Sequence, residues 1–284
     1  MNPGSPLYAI APGLLFTFLF FAGMPFYALR RRQGDFVPHP ELARRRPSFV
    51  ATTFMIGYLS WIIDPLERAL ASARISPNLI SYTSVMCCLA AGICAATGYL
   101  ASAAWIYVLA GVLDILDGRI ARRTGRTSPA GALLDSVLDR WGEFFVLGGL
   151  VFTLHTTMGT LAVLICIAGS QMVSYTRARS EGLGVRGDGG SMQRAERIVG
   201  VVLALLIGAV GRATEMYDAE AVIAMMLFAI GVASAYTSIG RLIDGMRALK
   251  LAETARVEEL TPPPAPLPTP QPAPSRLRTL QPRE

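Results

Sequence analysis

The sequence predicts an all-α integral membrane protein. Hydrophobic residues make up 52% of the 284-residue chain and charged residues only 16%. Mean hydropathy is +0.43, which is wrong for an ordinary soluble domain. Several stretches of roughly 20 residues carry almost no charge, the length a helix needs to cross the hydrocarbon core, and about seven segments have this character.

The first apolar run, 7–29, ends in Arg30, Arg31 and Arg32, and no basic residue precedes it. A secretory signal has the opposite polarity, so the run reads as an uncleaved anchor with its basic end in the cytoplasm. Residues 33–50 are polar and basic. The next segment, 54–73, mixes apolar residues with Asp64, Glu67 and Arg68 around Pro65, a pattern that suits an amphipathic helix lying on the interface.

Five or six further spans follow, at about 78–100, 103–121, 132–153, 157–176, 195–210 and 221–242. Connections near residues 100 and 155 hold no Lys or Arg. Those near 123, 180 and 245 hold Arg122, Arg123, Arg126, Arg177, Arg179, Arg186, Arg241, Arg247 and Lys250. The asymmetry puts the basic connections in the cytoplasm, in agreement with the anchor. After Thr261 the chain is rich in Pro and is expected to be a disordered cytoplasmic extension. The expected divisions are an anchor (1–32), a linker and interfacial helix (33–73), a transmembrane domain (74–248) and a Pro-rich tail (249–284).

The net charge of +6 brings nucleic acid to mind. The arginines flank apolar segments, however, so anionic lipid headgroups are the expected neighbours and nucleic acid is not a partner. Cys87, Cys88, Cys94 and Cys166 all lie inside apolar segments without metal-type spacing and are read as small hydrophobes.

The chemistry is concentrated between Gly111 and Arg140. Asp114 and Asp117 are three apart and Asp135 and Asp139 four apart, so each pair occupies one helical face. A turn around 125–129 brings the two faces together. Four carboxylates at membrane depth repel one another unless cations are present, and oxygen-only ligands select hard cations, Mg2+ first and Mn2+ second. Such cations usually work beside phosphate groups, which makes phosphoryl chemistry the first expectation. The plainer alternative is that these Asp residues form structural ion pairs with Arg119, Arg122, Arg123 and Arg140.

The stretch LDILDGRIARRTGRTSPAGALLDSVLDR matches D-x2-D-G-x2-A-R-x8-G-x3-D-x3-D at all eight fixed positions, and so resembles the CDP-alcohol phosphatidyltransferase family over about 74–245. The resemblance implies a six-helix bundle, with the anchor and interfacial helix as additions, in a bacterial-type inner membrane. It also implies a homodimer and a two-metal site in which Asp114, Asp117, Asp135 and Asp139 are ligands and Asp139 is also the general base. CDP-diacylglycerol would be attacked at its lipid-bearing phosphorus by an acceptor hydroxyl, with CMP departing. Gly118, Ala121 and Gly131 then give clearance for the nucleotide as well as close helix packing. Arg122, Ser128 and the segment Pro77, Asn78, Leu79 and Ile80 would contact CDP.

A second cluster, SYTRARSEGLG followed by QRAER, resembles the bacterial phosphatidylinositol phosphate synthases of that family. Ser174, Arg177 and Arg197 fall where the acceptor phosphate would bind, with Arg177 where Lys is expected and Arg241 as a further candidate. The implied acceptor is 1D-myo-inositol 3-phosphate. Glycerol 3-phosphate also suits a basic pocket, and the same arginines alternatively read as orientation signals among headgroups. A transporter, the reading from a different class, requires carboxylates spread along a path across the bilayer. Here they cluster.

Overall fold

The computed structural model describes residues 6–32, 53–187 and 189–260. Among these are eight helices and no strands: α1 (Pro6–Arg32), α2 (Thr53–Ser72), α3 (Pro77–Ala96), α4 (Leu100–Arg123), α5 (Pro129–Thr153), α6 (Thr157–Gly182), α7 (Arg194–Thr214) and α8 (Ala219–Leu260). The chain divides into two units, Met1–Gly245 and Met246–Glu284. The expected linker at 33–50 and the Pro-rich stretch after Thr261 lie outside the described residues.

Five helices, α3, α4, α6, α7 and α8, are long and apolar enough to cross a membrane, so this is a multi-pass membrane protein. All six segments expected as spans are helical. The one that falls short of a span on composition is α5, whose first half carries Asp135, Asp139, Arg140 and Glu143. Its polar start is the site itself.

Local chemistry sets the helix ends. Pro77 and Pro129 stand in the first turns of α3 and α5, where a missing N–H costs nothing. Ser128 caps α5 by accepting the Gly131 amide at 3.0 Å, and Thr156 caps α6 through Gly159 at 3.0 Å. The α4–α5 reversal uses Gly125 at φ +67°, a conformation that favours glycine.

In the second unit, residues 246–260 remain helical as the end of α8. Helix thus continues past the start of the tail expected at residue 249. Apolar character fades after Leu242, but from Met246 to Leu260 there is no Gly or Pro and Ala, Leu, Lys, Arg and Glu predominate, all strong helix formers.

The core is built by backbone approach between small residues, as expected where lipid removes the hydrophobic drive between helices. A Cβ on Gly149 would stand 2.7 Å from the Gly92 carbonyl carbon, so α3 and α5 touch through their main chains. The same happens between α6 and α8, where a Cβ on Gly231 would stand 2.7 Å from the Ile165 carbonyl carbon. Around these crossings Ala91, Ala95, Ala103, Val146, Leu150, Val163, Leu205 and Ile223 are fully or nearly fully buried.

Helix α2 is continuous through Pro65, which removes one hydrogen bond without breaking it. Ser60, Ile63 and Glu67 share one face by their spacing and are buried. Ile63 joins Ile80, Leu116 and Ile120 in a small apolar cluster that seats α2 on α3 and α4. The other half of α2 stacks on α1: the Tyr27 ring centroid lies 5.4 Å from Phe54 and 5.5 Å from Tyr58, and the Tyr58 hydroxyl donates to the Phe20 carbonyl.

Candidate active site

The polar ends of α4 and α5 face each other across the reversal at 124–128. Asp114, Asp135 and Asp139 each present a carboxylate oxygen, all within 4.8 Å of one another. Ser81, Ser84 and Cys88 of α3 line the same small cleft, as does Arg194 of α7. Helix spacing puts Asp114 on the α5 side of α4, and the capped start of α5 sets the pitch of the next turns, on which Asp135 and Asp139 follow one another.

Asp117 stands outside this group. It is buried, accepts a 2.5 Å hydrogen bond from Ser81 Oγ, and also accepts the Gly118 amide. Three of the four expected carboxylates are therefore gathered, and the fourth is held by α3.

Arg194 enters the cluster from the first turn of α7. Its Nη1 donates to both oxygens of Asp114, at 3.0 and 2.9 Å, and pairs with Asp139. This residue was not among the expected site residues. Its only sequence signal is its place in QRAER, three before Arg197 and so on the same helical face.

The plainer alternative for the Asp residues, pairing with neighbouring arginines, fails for Arg119 and Arg123. Arg119 is 2% exposed at its side chain and donates from Nε to Glu67 at 2.6 Å and from Nη1 to Ser60 at 2.9 Å. Arg123 reaches Glu67 at 3.1 Å and Asp64 at 3.4 Å. Both arginines bind α2, leaving the carboxylates to the cleft. The Asp64 carboxyl is held below its ordinary value, chiefly by its hydrogen bond from Arg68 and further by Arg123, against an opposing push from burial.

A donor set of three carboxylates, with no nitrogen or sulfur ligand, fits a hard divalent cation. Asp114, Asp135 and Asp139 are the residues that would hold it.

The expected nucleotide contacts gather at one end of the bundle. A Cβ on Gly131 would lie 3.2 Å from Ser128 Oγ and 3.9 Å from Asn78 Oδ1, so the starts of α3 and α5 adjoin. A Cβ on Gly118 would meet the Arg122 guanidinium at 3.2 Å. Ala121 is half-buried and Leu79 exposed, while Ile80 is buried in the cluster that joins α2, α3 and α4.

In the second cluster, Arg197 Nη2 donates to Ser174 Oγ at 3.4 Å, so this expected pair is together. Arg177 turns to Glu181 at 2.9 Å on the exposed side of α6 and is not part of the pair. Arg241 donates to the Gly189 carbonyl at 2.6 Å and the Val173 carbonyl at 2.8 Å, next to Ser174. Arg197 is itself held by Glu143 through two hydrogen bonds of 2.8 and 3.2 Å, with both side chains buried. Glu143 carries no signal in the sequence, because its partner lies 54 positions away.

Known proteins resemble this chain in sequence and fold. The phosphatidylinositol phosphate synthase of Mycobacterium marinum is 35% identical over 151 residues, covering 50% of this chain and 63% of that protein, less than two thirds of its length. The enzyme of the same name from Mycolicibacterium smegmatis is 34% identical over 188 residues, covering 62% and 80%. The archaetidylinositol phosphate synthase of Methanothermobacter thermautotrophicus is 35% identical over 146 residues, covering 51% and 72%. Among solved structures, the Mycobacterium tuberculosis phosphatidylinositol phosphate synthase with CDP-DAG bound superposes with a TM-score of 0.57 at 28% identity, over 64% of this chain and 92% of that one. Its complex with manganese and citrate gives 0.58 at 27%, over 64% and 88%. The family model for CDP-alcohol phosphatidyltransferase spans residues 74–237, which takes in both the carboxylate cluster and Arg197, and the chain belongs to that family.

Proposed function

We propose that this enzyme transfers a phosphatidyl group from CDP-diacylglycerol to 1D-myo-inositol 3-phosphate, giving phosphatidylinositol phosphate and CMP. The observation that carries this is the junction of two sites on one end of the bundle: the carboxylates of Asp114, Asp135 and Asp139 and the Ser174–Arg197 pair. The relatives named phosphatidylinositol phosphate synthase support the choice of acceptor.

Asp114, Asp135 and Asp139, with Asp117 as the fourth carboxylate, would hold two Mg2+ ions, or Mn2+ in their place, which would supply positive charge against the diphosphate and the departing CMP. Asn78, Ser128 and Arg122 orient the cytidine diphosphate over Gly118 and Gly131. Ser174 and Arg197, helped by Arg241, seat the acceptor phosphate by hydrogen bonds of fixed direction. Asp139 takes the proton from the acceptor hydroxyl as its oxygen bonds to the lipid-bearing phosphorus and the bond from that phosphorus to CMP breaks. The arginines beside the site, Arg122, Arg123 and Arg126, support a cytoplasmic orientation in a bacterial-type inner membrane.

The test is CMP release by purified protein with CDP-diacylglycerol, Mg2+ and a panel of acceptors. Inositol 3-phosphate should outperform glycerol 3-phosphate and free inositol, and Asp139→Asn should slow release at least ~100-fold. Faster turnover of glycerol 3-phosphate would sink the acceptor assignment. Unchanged release by Asp139→Asn would sink the base.

A further inference from the structure

The clustered carboxylates already have a cation. Arg194 donates to both oxygens of Asp114 and pairs with Asp139, and the cleft beside it has a volume of 10 Å³, room for about one water. With the guanidinium on both Asp114 oxygens and room for only about one water beside it, a hydrated cation has to displace it to enter the cleft.

Arg194 is less confined than its neighbour Arg197. Its side chain is 31% exposed, and it is the first residue of a helix whose N-cap, Gln193, makes no side-chain cap bond. Arg197, three residues on, is 2% exposed at its side chain. It is tied to Glu143, Ser174 and the Met192 carbonyl.

We propose that Arg194 is an internal counter-cation that competes with the divalent cation for Asp114 and Asp139, so that release of this guanidinium sets the apparent metal affinity. This rests on reading the three Asp residues as the metal site. Such a device keeps three adjoining carboxylates from repelling one another before the cation arrives.

The experiment is Mn2+ titration of the full-length protein in detergent, with free Mn2+ read by electron paramagnetic resonance, so that binding is measured without turnover. Arg194→Gln should bind Mn2+ roughly 10- to 100-fold more tightly than the unmodified protein, because the binding-competent fraction rises. Arg194→Lys, which folds with its charge kept but offers one ammonium in place of a planar fork, should fall between them. Arg140→Gln is the control: it removes the same charge next to Asp139, but its guanidinium donates to the Ser136 and Ser174 carbonyls. Its affinity should stay within about threefold, as for a charge acting only through space. If Arg194→Gln binds no tighter, or if Arg140→Gln tightens as much, the competition is refuted while the metal site stands. If the unmodified protein binds no Mn2+, or Asp135→Asn binds it equally well, the metal site falls and the competition with it.

Discussion

The buried pair Glu143–Arg197 offers the sharpest check on the packing. Glu143→Leu leaves Arg197 with its Ser174 and Met192 bonds but no counter-charge, at a side chain 2% exposed. Breaking a buried pair by removing one partner costs about 3–5 kcal/mol. Arg197 keeps two of its bonds, so the low end applies, about 3 kcal/mol. For a chain of this size that is a fall in unfolding temperature of roughly 6–12 °C, taking 2–4 °C per kcal/mol. Arg197→Leu strands the Glu143 carboxylate and should cost a similar amount. The double Leu variant restores an apolar contact and should lie within about 1–2 kcal/mol of the original protein. The assay is thermal unfolding of all four proteins in one detergent, followed by tryptophan emission. If the double variant falls by the sum of the two singles, the charges are not facing each other and the seat proposed for the acceptor phosphate loses its support.

Three further outcomes follow from contacts already described. Gly149→Ala places a methyl 2.7 Å from the Gly92 carbonyl carbon and should destabilise by about 1–3 kcal/mol, whereas an unfolding temperature equal to that of the original protein would mean the α3–α5 crossing is wider than described. Glu67→Gln removes the charge facing buried Arg119 and should cost about 3 kcal/mol; Asp64→Asn, on the exposed side of the same helix, should cost less than about 1 kcal/mol, and equal losses would refute the ranking. Because the Asp64 carboxyl lies below its ordinary value of 3.8, its contribution is intact above that value and is lost as pH falls through the lowered one. The emission of Trp61, taken as the difference from a Trp61→Phe variant, should hold steady from about pH 7 to 5 and change only below about pH 4. A change between pH 7 and 5 that Asp64→Asn abolishes would contradict this.

The helices were legible because length and apolar content are local properties, and the carboxylate faces because Asp135 and Asp139 repeat at the helical period. The partners were not. Ser81 captures Asp117 across 36 positions, Glu67 captures Arg119 across 52, and Arg194 reaches Asp114 across 80. Spacing within one helix says which way a side chain faces, but not which helix stands opposite. Arg177 shows the converse: it shares a period with Ser174, yet Glu181 one turn on offers a nearer charge. The end of α8 was hidden for another reason, since hydropathy falls at Leu242 while helix propensity does not.

Pro65 gives α2 a mechanical character of its own. Without a proline N–H the rung to the Trp61 carbonyl is missing, so the helix has two arms joined by a weakened elbow. The leading arm is gripped by aromatic rings of α1, a hold indifferent to ionic strength. Ions grip the helix around the elbow, a partly wet pair at Asp64 just before Pro65 and a buried one at Glu67 just after it. Salt within a Debye length of about 8 Å at physiological strength screens the wet pair and spares the buried one. Raising ionic strength thus slackens the exposed edge of the elbow at Asp64 alone, and α2 loosens toward α4 there while Glu67 and the rings of α1 keep their hold.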